Sequence, residues 1–121
     1  MTKVKVKKHI NYTYETTDGR SFNDDTKAHL WQKVLDNIDE TIMFTNHFTR
    51  TKNVDEAFYV HIKNQDQLEA FAAKQQDEGL FGTISEIGYW YYNEDLEAYI
   101  NIDSEITRLM DIKLKMDKGE N

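Results

Sequence analysis

The sequence predicts an α+β fold: a small single domain over residues 1–121, with a mainly antiparallel sheet and about three helices. Three observations lead there. Apolar and polar residues alternate in several short runs, the two-residue period of a half-buried strand, while in other runs apolar residues recur at three- and four-residue steps, the period of an amphipathic helix. The two kinds of run are interleaved along the chain, so strands and helices do not fall into separate blocks. A length of 121 residues without proline, repeat or linker suits one core rather than two.

The first strand is expected from Val4 to Tyr14. Val4, Val6, Ile10, Tyr12 and Tyr14 take the even positions, and Lys3, Lys5, Lys7, His9, Asn11 and Thr13 the odd ones, which gives one basic face. Asp18-Gly19 supplies a tight turn, because glycine tolerates positive φ, and Ser21-Phe22 makes a short return. Asn23, Asp24 or Asp25 caps a helix running roughly from Asp24 to Glu40, with Ala28, Trp31, Val34, Leu35, Ile38 and Ile42 on its apolar stripe. Trp31 and Val34 are therefore expected in the core. The stretch from Ile42 to Thr49 reads as a weak strand, and Ala57 to Ile62 as a firm one.

Asn64 is expected to cap a second helix, with Gln67 as its reciprocal partner, Leu68, Phe71 and Ala72 as its stripe, and Gly79 as its left-handed terminus. Tyr89 to Tyr92 and Ala98 to Ile102 flank the polar turn Asn93-Glu94-Asp95 and predict a second hairpin. Alternation sets Tyr89 and Tyr91 on one face and Trp90 and Tyr92 on the other, so one pair belongs in the core. Asp103 or Ser104 then caps a last helix bearing Ile106, Leu109 and Met110, with fraying over residues 115–121.

Composition narrows the chemistry. No cysteine is present, which excludes disulfides, thiolate metal sites and cysteine nucleophiles, and favours a reducing, cytoplasmic location. The basic start Met1 to Lys8 is not followed by the apolar run of a secretion signal, and no stretch approaches the roughly 20 apolar residues of a membrane span. His9, His29, His47 and His61 never fall four residues apart as a helical metal pair would. Asn93, Asp95 and Glu97 alternate like the opening of a calcium loop but lack its glycine and its closing glutamate. Ser21, Ser85 and Ser104 have no nucleophile-elbow glycines, and Gly79, Gly82 and Gly88 are too far apart to cradle a phosphate. No enzyme activity, metal or cofactor is expected.

Charge is the remaining signal. The net charge is −7, yet residues 1–50 hold eight basic and seven acidic side chains, so the rest of the chain carries the acidity. No lysine or arginine lies between Lys74 and Arg108, a stretch that contains eight carboxylates. Nucleic acid would be repelled there, and an aromatic strand that stacks bases needs basic neighbours, so direct nucleic-acid binding through this half is not expected.

The lysine-flanked first strand, Asp18-Gly19-Arg20-Ser21-Phe22, and the run Gly88-Tyr89-Trp90-Tyr91-Tyr92-Asn93-Glu94-Asp95 leading into a terminal helix resemble small uncharacterised accessory proteins encoded by bacteriophages. That resemblance implies phage accessory roles, including inhibition of host defence in the manner of anti-CRISPR proteins. With the acidity, it suggests a non-enzymatic inhibitor or modulator of a host nucleic-acid-binding protein, such as a CRISPR effector nuclease. Glu86, Tyr89, Tyr91, Glu94, Asp95 and Glu97 would bind the partner's basic surface as nucleic acid does. Two alternatives are a phage structural or assembly component acting as a homo-oligomer, and a small nucleic-acid-binding factor using the basic first strand.

Overall fold

The computed structural model describes residues 4–7 and 12–119. Among these residues two antiparallel sheets and three α-helices make up an α+β domain. The smaller sheet joins β1 (Lys5–Lys7), β2 (Thr13–Glu15) and β3 (Ser21–Phe22) in that order, with Lys5 opposite Glu15 and Tyr14 opposite Phe22. One long first strand was expected. Its two ends instead form separate, antiparallel strands, because a period-two pattern continues through a reversal as readily as along a strand. The expected strand positions Lys3, Lys8, His9, Ile10 and Asn11 lie outside the described residues.

The β2–β3 turn is the anticipated one, with Gly19 at φ 83° and its N–H donating to the Thr16 carbonyl at 2.9 Å. Helix α1 (Asp25–Glu40) follows, with the Asp24 carboxylate accepting from the N–H groups of Thr26 and Lys27. Polar groups fasten the small sheet to α1. Buried Gln32 accepts from the Thr17 N–H at 2.9 Å and donates to the Thr17 hydroxyl and to Asp36, both at 3.0 Å.

Trp31 belongs to this junction, contrary to the core position expected of it. Its indole is half-buried, donates to Asp18 at 2.9 Å, and lies beneath the Arg20 guanidinium at 4.4 Å and the Lys74 ammonium at 5.5 Å. Arg20 then reaches Asp77 through two hydrogen bonds of 3.0 and 2.9 Å. Burial disfavours the Asp18 carboxylate, but donors from Thr16, Trp31 and the Arg20 backbone, with the Arg20 charge, outweigh it and hold Asp18 below the usual carboxylate range.

The larger sheet is the meander β4 (Ile42–Phe44), β5 (Tyr59–Ile62), β6 (Gly88–Asn93) and β7 (Ala98–Asn101). Helix α2 (Gln65–Glu78) lies between β5 and β6 in sequence and packs on α1 and the inner sheet face. Met43, Val60, Ile62, Trp90 and Tyr99 meet Ile38 of α1 and Ala70 and Phe71 of α2 there, with Val34, Leu68 and Tyr92 at the margin. The expected Ala72 is exposed and Ala70 takes its place. Asn64 caps α2 by accepting from the Gln67 N–H at 2.9 Å, while the Gln67 side chain accepts from Lys63 rather than from Asn64 itself. Gly79 ends α2 in the left-handed conformation, at φ 67°.

Helix α3 (Ile102–Asp117) begins directly at the end of β7. Its cap is Asn101, whose side chain accepts from the Ser104 N–H, rather than Asp103 or Ser104. Residues read as the strand's end therefore open the helix, which continues through Asp117. Helix α3 packs against β6 and β7, yet none of its residues is buried, although Ile106, Leu109 and Met110 were expected to bury a stripe. No helix of the described residues is long and apolar enough to cross a membrane.

Candidate functional site

The β6–β7 hairpin carries the six candidate partner-binding residues, and its register separates them into two groups. Tyr91 pairs across β7 with Ile100 and Tyr92 with Tyr99, so the turn falls at Glu94 to Glu97. Asn93 shapes this turn by accepting from the Leu96 N–H at 3.0 Å, and Glu97 takes a left-handed φ of 50°. Glu94, Asp95 and Glu97 are thereby held together, exposed, at one end of the sheet. Glu86 and Tyr89 sit at the other end, about 17 Å away along an extended strand.

The turn carboxylates do not stand alone. The 3-10 turn Val54–Glu56 precedes β5 and lies at the same end, adding Asp55 and Glu56 to the rim of a cleft of about 630 Å³ that Glu94 and Glu97 also line. Phe58, Leu80, Phe81, Tyr92 and Tyr99 supply its apolar and aromatic surface. Tyr99 is buried and donates its hydroxyl to the Ala57 carbonyl at 2.5 Å, which ties β7 to the segment bearing Asp55 and Glu56. Burial first, and the neighbouring Tyr92 second, push its phenol above the ordinary range, so it stays neutral. Gly82 brings the loop after α2 against the hairpin, where a Cβ would lie 3.4 Å from the Glu97 carbonyl. Phe81 beside it is 82% exposed.

A smaller depression adjoins this cleft, lined by Asn46, Phe58, Tyr91, Tyr92, Glu94 and Asp95. Tyr91 thus stays with the turn carboxylates. Neither depression is lined by lysine, arginine or histidine. Five carboxylates around exposed and half-buried rings can receive a guanidinium or ammonium group, with hydrogen bonds at the rim and cation–π contact on the rings. The side chains on this surface suit recognition of positive charge.

The outer face of the larger sheet differs in kind. Tyr89 stacks on His61 across β5 and β6, with ring centroids 3.9 Å apart and planes 9° from parallel. Burial first and Lys63 second hold the His61 imidazole below its ordinary value. Phe48, at φ 62°, turns back to stack on Phe44 at 4.5 Å. Together with Ile42, Tyr59 and Ile102 these rings line an almost wholly apolar groove of about 330 Å³. Glu86 contributes only its carbonyl, which accepts from the Trp90 indole at 3.1 Å.

Glu94, Asp95 and Glu97 are among the residues expected from the sequence, whereas Asp55, Glu56 and Phe81 are not and are brought in by the fold from other segments. The acidic Asn53-Val54-Asp55-Glu56 run was the only signal for the first two. Among the described residues no three His, Asp or Glu side chains gather as metal ligands. On the small sheet, Lys7 pairs with Glu15 at 2.5 Å, which offsets part of the basic character of the first strand. No protein-family model, no curated protein and no solved structure matches this chain.

Proposed function

We propose that this chain is a non-enzymatic binding protein that modulates a nucleic-acid-binding partner by occupying the partner's basic surface with its acidic end. The observation that carries this reading is the convergence of Asp55, Glu56, Glu94, Asp95 and Glu97, from two separate segments, around an aromatic-lined cleft without basic residues. Carboxylates spaced along a rigid hairpin present negative charge much as phosphates do, and tyrosine rings beside them offer stacking surfaces to arginine. The chain's net charge of −7 adds steering toward a positive surface. The resemblance to phage accessory proteins makes a host defence nuclease the first partner to try, with Tyr91 at the contact and Glu86 and Tyr89 outside it.

The experiment is affinity capture from host lysate, followed by binding and inhibition assays with the purified partner. A partner that binds nucleic acid, is displaced by nucleic acid, and is released by charge reversal at Glu94, Asp95 and Glu97 supports the reading. Direct binding of the chain to free DNA or RNA contradicts it.

A further inference from the structure

Helix α3 combines three properties found together nowhere else among the described residues. Ile102, Ile106, Leu109, Lys113 and Met116 recur at alternating four- and three-residue steps, the seam of a helix that packs against another helix. None of the helix is buried, and Met110 and Met116 are 66% and 72% exposed. The third property is charge. Asp103, Glu105, Asp111 and Asp117 balance Arg108, Lys113, Lys115 and the capping Lys118, so the helix together with its C-cap is neutral on a chain of net charge −7. A second copy of an acidic chain meets little repulsion there.

We infer that α3 is the interface of a two-fold homodimer in which the helices of two copies pack antiparallel. Area, charge and the neighbouring groove support this occupant. The exposed apolar side chains of α3 present on the order of 600 Å², which with their charged flanks reaches the roughly 800 Å² that each partner contributes to a standard interface. An antiparallel pair sets Lys113 in the seam of one copy near Asp103 and Glu105 in the first turn of the other, whereas a parallel pair sets Lys113 against Lys113. The same arrangement lays the Met116 end of the second copy beside Ile102, where the seam runs into the apolar groove of the outer sheet face. A flexible thioether fits such an irregular apolar surface. Because one surface holds both the protruding helix end and the groove, it is self-complementary, as a two-fold contact requires.

Sedimentation velocity and light scattering of the full chain, up to about 100 μM, test the dimer at the concentrations where interfaces of this size assemble. The expected species has twice the 14.3 kDa chain mass. A monomer throughout, or a trimer or larger ring, overturns the inference. Leu109→Asp should yield a monomer with unchanged helical circular dichroism, because Leu109 is half exposed and lies outside the buried core of one copy; a dimer that survives Leu109→Asp overturns it. Lys113→Glu should weaken dimerisation at least tenfold through repulsion from Asp103 and Glu105, and unchanged or tighter dimerisation contradicts the antiparallel arrangement. Assembly through this neutral, apolar seam should persist in high salt, which separates it from the salt-sensitive binding expected of the acidic end.

Discussion

Helices α2 and α3 are close in length and each carries an apolar stripe, yet they differ in what the stripe meets. Ala70 and Phe71 of α2 are buried against the larger sheet, while the matching positions Ile106 and Leu109 of α3 stay about half exposed. Periodicity shows that a helix has an apolar face; it does not show whether the covering surface belongs to the same chain. The two ends of the β6–β7 hairpin that lies between these helices in sequence differ as well. One end collects carboxylates and the other begins a neutral helix, which gives the molecule two chemically distinct surfaces at opposite ends of β7.

The largest expected effect contrasts the two helices directly. Phe71→Ala should cost about 3–5 kcal/mol of folding stability by emptying a filled core site, whereas Leu109→Ala, at a half-exposed position, should cost about 1 kcal/mol or less in the monomer, both read from urea melts at low protein concentration. Equal losses would mean that Leu109 is a core position of the single copy. Trp31→Ala falls between them, at about 1–2 kcal/mol, because a half-buried indole loses one hydrogen bond and its cation–π contacts rather than a core position. A loss as large as that of Phe71→Ala would move Trp31 back into the core.

Those two tests also mark what was legible. Helices α1 and α2, strand β5 and the second hairpin were readable because long periodic runs, Asp24, Asn64, Gly79 and the Asn93 turn agree with one another. The β1–β2 reversal was not, since no glycine or proline interrupts Lys8 to Asn11. Nor was the start of α3, because Asn101 fits a strand pattern and a helix cap equally well. Alanine orients a helix weakly, which explains the exchange of Ala70 for Ala72. Half the candidate site was visible in Glu94, Asp95 and Glu97; Asp55 and Glu56 join it only through the pairing of β5 with β6 and the Tyr99 to Ala57 bond.

A smaller effect tests the junction of the small sheet. Asp18 and Asp77 are both held below the ordinary carboxylate value of 3.8, Asp18 by donors that outweigh its burial and Asp77 by hydrogen bonds from Arg20. Groups with lowered folded-state values contribute stability that is fully present above the unfolded value and is lost as pH falls from there through the folded one. The parent should therefore lose stability in acid more steeply than Arg20→Met, whose stability at neutral pH should fall by less than about 1 kcal/mol because the pair is solvent-exposed. Parallel acid melts of the two proteins would contradict the role given to Arg20.

The measurement closest to the central claim is partner affinity as a function of salt, for the parent and for the variant with Glu94, Asp95 and Glu97 changed to lysine. Exposed turn carboxylates add little to folding, so the variant should melt within about 0.5 kcal/mol of the parent. Parent binding should weaken steeply as ionic strength rises from about 50 to 200 mM, and the variant should bind at least 100-fold more weakly at the lower salt. Tight parent binding that ignores salt, or a folded variant that binds as the parent does, would contradict the acidic end as the site of recognition.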